Sequence, residues 1–206
     1  MSVLSDVAAE IRVCTRCELS LSRTHAVPGS GPEDAEVFFI GEGPGYHEDQ
    51  QGLPFVGASG KFLTELIQRA GMRREEVFIT NVVKCRPPGN RDPLPDEMEA
   101  CSLYLDRQID AIDPLVIVTL GRFSMSRFFP NERISRIHGQ PRKIGRRVVV
   151  PMYHPAAALH QGSLRGAIEE DFDQLGKIIN KARAERELDE RPGPGDTPAH
   201  EQMKLF

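Results

Sequence analysis

The chain has 206 residues, 39% of them hydrophobic and 27% charged, with a formal net charge of −4. That length supports one domain with a real core, and no apolar run is long enough to suggest a membrane-spanning helix. The acidic balance excludes a polyanion binder that works by overall charge, so any nucleic-acid contact has to rest on local charge.

Residues 3–13, VLSDVAAEIRV, carry apolar side chains at Val3, Leu4, Val7, Ala8 and Ile11, with Ser5 and Asp6 as capping groups, and predict a short amphipathic helix. The N-terminus has acidic residues and lacks the basic start and apolar core of a signal peptide, so a cytoplasmic protein is expected. Cysteines in that compartment are ligands more often than disulfides. Cys14 and Cys17 form a C-x2-C pair, Cys85 lies in a KCRPP turn and Cys101 lies in a helical stretch. Four thiolates gathered from three distant places suit one tetrahedral or cubane site, and their spacing leaves zinc and a 4Fe-4S cluster both open.

The stretch that organises the chain runs from Phe38 to Gly60, FFIGEGPGYHEDQQGLPFVGASG. The apolar run Val37 to Ile40 predicts a buried strand, after which glycines and prolines take over until a helical pattern resumes at Lys61. Glycine allows close backbone approach and positive φ, and Pro44 and Pro54 preset their own φ, so a rigid ligand-holding loop is expected at the strand's carboxyl end. It offers carboxylates at Glu42, Glu48 and Asp49, an imidazole at His47, and aromatic faces at Tyr46 and Phe55.

Helices and short Val/Ile-rich strands then alternate. The pattern predicts helix over about 59–70, strand over 77–80, helix over 95–112, strand over 115–120, helix over 122–129, strand over 147–152 and helix over 165–186. This is an α/β chain, expected as a three-layer α/β/α fold around a central, mostly parallel four-stranded sheet. Functional groups should gather where strands end: Glu42 after the first, Asn81 after the second, His154 after the last. Between Arg127 and Arg147 seven basic residues, Arg127, Arg133, Arg136, Arg142, Lys143, Arg146 and Arg147, accompany one acid, Glu132, and supply the local charge a DNA contact needs. Residues 1–184 read as the globular domain, and residues 185–206, rich in charge, Pro and Gly, as a flexible tail.

Four separated features, in order, carry a family resemblance: GEGPG followed by Glu48-Asp49 and GLPFVGASG, the four cysteines, ITNVVKCRPPGNR from Ile79 to Arg91, and HPAAAL from His154 to Leu159. Together they are similar to the family 4, iron-sulfur, uracil-DNA glycosylases, over roughly Cys14 to Leu159. The resemblance implies a DNA N-glycosylase that hydrolyses the N-glycosidic bond of deoxyuridine, releasing uracil and leaving an abasic site for base excision repair. It implies a structural 4Fe-4S cluster on Cys14, Cys17, Cys85 and Cys101, and uracil-containing single- or double-stranded DNA as partner. A monomer at the nucleoid is expected.

Residue roles follow by the same resemblance. Asn81, otherwise a turn-capping asparagine, accepts from uracil N3-H and donates to O4, a pattern cytosine reverses. Phe55 stacks on the extruded base, and Gly43 and Glu48 belong to the uracil pocket, Glu48 near C5 where it excludes the thymine methyl. His154, biased to extended backbone by Pro155, donates to uracil O2 as charge develops there. Glu42 serves water and the sugar's charge, and Leu159 is a wedge candidate that fills the vacated stack. One departure stands out: Ile137-His138-Gly139, after Arg136, where the family commonly has valine-arginine-glycine. An Arg-Ile-His string resembles a sister branch whose histidine bonds to the abasic sugar, which makes a uracil-DNA trap through His138 the alternative. Against it, Gly43 stands where that branch has glutamine. Arg136 and His138 are otherwise DNA-contact candidates. A zinc-bearing nucleotide-binding protein is disfavoured because GEGPG lacks a P-loop's lysine and hydroxyl. The tail ends in Gln202-Met-Lys-Leu205-Phe206, which resembles the bacterial sliding-clamp-binding peptide.

Overall fold

The computed structural model describes residues 2–189. Strands β1 (Val37–Gly41), β2 (Phe78–Asn81), β3 (Val116–Leu120), β4 (Arg142–Ile144) and β5 (Arg147–Met152) form one sheet in the order β2-β1-β3-β5-β4. The first, second, third and fifth strands are parallel, and β4 pairs antiparallel with β5. The expected four-stranded sheet therefore gains an edge strand. Arg142-Lys143-Ile144 has no apolar run to announce it, and all three residues are exposed. What makes it a strand is the two-residue turn Gly145-Arg146, with Gly145 at φ 60°, which folds it onto β5.

Helices cover both faces: α1 (Val3–Val13), α2 (Leu19–Ser22), α3 (Tyr46–Gln51), α4 (Ala58–Arg69), α5 (Pro95–Ile112), α6 (Arg122–Ser126), α7 (Ile134–Ile137), α8 (Pro155–His160) and α9 (Arg165–Asp189). Side chains of a strand alternate between faces, and β1 shows the result. Phe38 and Ile40 join Leu4, Val7, Ile11, Leu105 and Ile109 of α1 and α5. Val37 and Phe39 join Leu63, Leu66, Phe172 and Leu175 of α4 and α9 on the other face. Phe38 and Phe39 are fully buried, and each such side chain contributes about 2–3 kcal/mol. Because both faces are covered, the parallel strands read as unbroken apolar runs.

α1, α5 and β5 fall where the sequence places them. The glycine-rich loop is less loop-like than expected, since Tyr46–Gln51 makes a helical turn, and α9 runs on past the 184/185 boundary to Asp189. Gln202, Leu205 and Phe206 lie outside the described residues. Among the described residues no helix is long and apolar enough to cross a membrane.

Candidate active site

The carboxyl ends of β1, β2 and β5 open onto one cavity of about 180 Å³, lined by Glu42, Gly43, Glu48, Phe55, Asn81 and His154 together with Pro44, Gly45, Ser59, Pro87, Asn90 and Arg91. Every residue assigned to uracil or catalysis from the sequence lines it. β1 has β2 on one side and β3 on the other, so the chain reverses its direction of winding at β1, the place where open α/β sheets leave a crevice.

Glu48 staples the loop that follows β1. One carboxylate oxygen accepts from the Gly45 N–H at 3.1 Å, the other from Val56 and Gly57 N–H at 2.8 and 2.9 Å. A carboxylate with both oxygens so engaged is fixed in place as a cavity wall. Asp49 is spent on structure too: its Oδ1 accepts from the Thr24 N–H at 2.9 Å.

Phe55 holds φ 52°, a left-handed conformation that costs a non-glycine residue about 1–3 kcal/mol. Its surroundings are shaped to it. A Cβ on Gly60 would lie 1.9 Å from the Phe55 carbonyl oxygen, and one on Gly41 would lie 2.6 Å from the ring and 2.3 Å from Asn81 Oδ1. The ring is stacked with that of His154, centroids 5.5 Å apart and planes inclined by 24°, and both rings line the cavity.

Asn81 is 2% exposed, at the last position of β2. Its Oδ1 packs against Gly41, beside the Phe55 ring that packs on the same glycine. Its backbone carbonyl accepts from Lys84 Nζ at 2.9 Å, and the same ammonium reaches Thr80 Oγ1 at 2.6 Å and Gln108 Oε1 at 2.7 Å. Three acceptors match the three protons of this buried lysine.

His154 caps α8: its Nδ1 accepts from the Ala156 N–H at 3.1 Å. An accepting Nδ1 leaves the proton on Nε2, so the neutral ring is a donor with a fixed tautomer. Burial pushes its pKa down to about 4, against the pull of Glu48. The ring is half-buried by surface area yet walled in by packed neighbours, as befits a group that keeps one edge open to a cavity. Gly121, at φ 90° at the end of β3, makes the close approach possible, since a Cβ there would stand 3.2 Å from His154 Cβ. Glu42 is half-buried, and burial, reinforced by the charge of Asp92, raises its carboxyl above the ordinary value while Arg122 pulls the other way. Gly43 leaves room for Val83, whose Cγ2 would be 2.8 Å from a Cβ at that position.

The DNA-contact candidates divide. Leu159 projects from α8 with 50% of its surface exposed, and Arg136 is exposed on α7. His138 does not line the cavity: its Nδ1 bonds Asp171 Oδ2 at 2.8 Å and its ring lies 4.6 Å from that of Tyr153. The basic run needs correction as a single patch. Arg127 pairs with Asp106, Arg142 with Glu132, and Arg146 and Arg147 with Asp113. Arg146, in the turn before β5, and Arg147, its first residue, lie a strand's length of about 20 Å from the cavity. Proximity in sequence was charge density only along the chain.

Sequence reasoning passed over Ser59, Pro87, Asn90 and Arg91 in the cavity wall. Gly89-Asn90, with φ 63° and 56°, is a turn whose sequence signal is plain, but its direction is not. Arg91 is set by a bidentate pair with Glu97 at 2.6 and 2.9 Å, formed across the first turn of α5.

The four cysteines line a second cavity on the other face, with Ile11, Arg23, Lys84 and Tyr104. Backbone and guanidinium donors point at the sulfurs: Arg23 Nη1 to Cys85 at 3.1 Å, Lys84 N to Cys101 at 3.3 Å and Arg16 N to Cys14 at 3.5 Å. Burial pushes the Cys101 thiol up to about 11 and raises Cys17 and Cys85, so a bound cation is what would make this a thiolate site. Among the described residues no group of three or more His, Cys, Asp or Glu side chains is gathered closely enough to stand as a metal site by itself. Four thiols, N–H donors to sulfur and a closed apolar lining nonetheless fit a cysteine-ligated centre.

Fold and site together define a doubly wound α/β protein whose cleft presents an aromatic wall, an amide and a neutral imidazole donor to a planar ring with hydrogen-bonding edges. A family model described as "Uracil DNA glycosylase superfamily" matches residues 28–180. Type-4 uracil-DNA glycosylases of Archaeoglobus fulgidus and Sulfurisphaera tokodaii are each 48% identical to this chain, over 190 and 188 residues, covering 88% and 86% of it and 96% and 86% of theirs. That of Saccharolobus solfataricus is 48% identical over 190 residues, 87% of this chain and 88% of its own. The chain belongs to the uracil DNA glycosylase superfamily, in its type-4 branch.

Proposed function

We propose that the chain is a uracil-DNA glycosylase that takes deoxyuridine extruded from DNA into the cavity at the ends of β1, β2 and β5. The observation that carries this reading is the convergence of Phe55, Asn81, His154 and Glu42 on one cavity inside a type-4 family member. The uracil ring lies against Phe55, and Asn81 reads N3-H and O4. Glu48, pinned by three backbone N–H groups, walls the pocket near C5.

In the reaction the N1–C1′ bond breaks with its electron pair passing into the uracil ring, while water adds to C1′ and gives up a proton. The neutral His154 donates from Nε2 to uracil O2, where the negative charge develops, and does so without protonating the base. Glu42, a carboxylate with its basicity raised by burial, orients the water, takes its proton and stabilises the cationic sugar from below. Leu159 enters the stack where the base has left, and Arg136 and His138 meet the backbone nearby. Cys14, Cys17, Cys85 and Cys101 would hold a 4Fe-4S cluster, whose role there would be structural. These four residues join the segment after α1, the 85–91 loop and α5, and Cys85 stands four residues after Asn81 in the chain. In the tail, Gln202, Leu205 and Phe206 dock on a sliding clamp.

The test is incubation of purified protein with end-labelled uracil-containing single-stranded DNA, resolved on a denaturing gel before and after alkali. Substoichiometric protein is expected to convert the whole substrate to alkali-cleavable product. A denaturation-resistant protein-DNA band saturating at one equivalent would replace turnover with trapping through His138. Visible absorption of a cysteine-ligated iron-sulfur centre is expected with it, and a colourless zinc protein would correct the cofactor.

A further inference from the structure

We propose that Arg74 is a positioning residue for base stacking: its guanidinium clasps the loop on both sides of Phe55 and holds that residue in the left-handed conformation that turns its ring to the cavity. Arg74 lies in the short 3₁₀ turn before β2, outside every motif that carries the family resemblance. Its Nη2 donates to the carbonyl of Pro54, the residue immediately before Phe55, at 2.6 Å. Its Nη1 donates to Thr64 Oγ1 at 3.1 Å and reaches the Gly60 carbonyl at 3.5 Å, and the Thr64 hydroxyl itself donates to that carbonyl at 3.1 Å. One planar fork thus joins the residue before Phe55 to the first turns of α4, and the side chain is half-buried in doing so.

The need for such a clasp is written in the backbone. Phe55 at φ 52° relaxes toward negative φ unless the surroundings over-determine it. Gly60 and Gly41 give the ring room but pull on nothing, and Glu48 holds the loop at Gly45 and again at Val56 and Gly57, leaving the Pro54 carbonyl to another donor. Arg74 is the group that grips the N-terminal side. Lysine offers one rotatable ammonium in place of a planar fork, so it holds Pro54 and Thr64 less rigidly.

The proposal rests on Phe55 stacking on uracil, and the experiment separates the two. KM and kcat on uracil-containing single-stranded DNA, and the inhibition constant of free uracil, are measured for the full chain and for F55A, R74M, R74K, T64V and the double variant R74M/F55A. Stacking is a binding contact worth several- to a hundredfold, and partial misplacement of the ring is expected to raise KM and the uracil constant about tenfold in R74M with kcat within about threefold. R74K should recover part of that loss, and R74M/F55A should bind uracil no more weakly than F55A. T64V, which removes one anchor of the fork and keeps its bond to Pro54, should shift the uracil constant about threefold, and it decides the matter if R74M does not fold. Wild-type constants in R74M, or in T64V if R74M does not fold, or a multiplicative loss in the double variant, overturn the clasp while a weakened F55A leaves stacking intact. A wild-type F55A overturns stacking itself, and the clasp with it.

Discussion

At His154 a backbone N–H, and no carboxylate, selects the tautomer, and this decides how the residue can act. A histidine held by an acid would become imidazolium near neutral pH, whereas one that accepts from the Ala156 N–H at Nδ1 and lies among packed neighbours stays neutral down to about pH 4. Its folded pKa is below the unfolded value of 6.5, so the unfolded chain binds more protons between them. Stability from this group is therefore complete above pH 6.5 and lost as pH falls toward 4. The loss is on the order of 2 kcal/mol after allowance for the ring's open edge. Denaturant midpoints between pH 7 and 4 should fall less steeply in H154N than in the parent. Catalysis at low pH is governed elsewhere. If Glu42 acts as the carboxylate base, burial raises its pKa, so the acid limb of kcat/KM should be displaced upward from that of an unperturbed glutamate. E42Q should lower kcat about a hundredfold and flatten that acid limb. A limb unchanged in E42Q would move the proton transfer to another group.

At the scale of elements, the ends of strands do the work. β1 ends at Gly41, against which both Asn81 Oδ1 and the Phe55 ring are packed, so a methyl group there displaces the amide and the stack together. G41A is expected to reduce kcat/KM by at least tenfold. Melting temperature distinguishes this local effect from general unfolding, since the change adds no strain to a backbone without positive φ. α8, which begins directly after His154, carries the exposed Leu159 five residues beyond that histidine. If it fills the stack, L159A should slow excision from duplex DNA several-fold more than from single strands, where there is no stack to fill. Much of this level was legible in advance. The unbroken apolar runs fixed the parallel strands, and Pro95 marked a helix start at N1, whereas the short α8 after Pro155 was not among the predicted helices. β4 was not legible, because an exposed three-residue edge strand has no hydrophobic period. α3 was hidden by glycines that serve as its caps.

For the whole molecule, two cavities lie on either side of one short segment. Asn81 faces the first and Cys85 the second, with Lys84 buried between them and bonded to the Asn81 carbonyl. A centre held by the cysteines would therefore touch the same segment that carries Asn81. The tail belongs to a separate level: deleting residues 202–206 should leave uracil excision from oligonucleotides unchanged and abolish binding to a sliding clamp, measured by surface capture. Retained clamp binding would end that idea. Local chemistry in the sequence determined which residues could serve, because strand runs, glycine-proline loops and thiols act through their nearest neighbours along the chain. It placed Glu42, Asn81 and His154 at strand ends and singled out the four cysteines as a ligand set. Only the tertiary structure decided which of those residues share a cavity, that most of the basic run is spent on ion pairs, that Asp171 holds His138 outside the cavity lining, and that Arg74 reaches Pro54. Those are distances between residues far apart in sequence, and no local pattern encodes them.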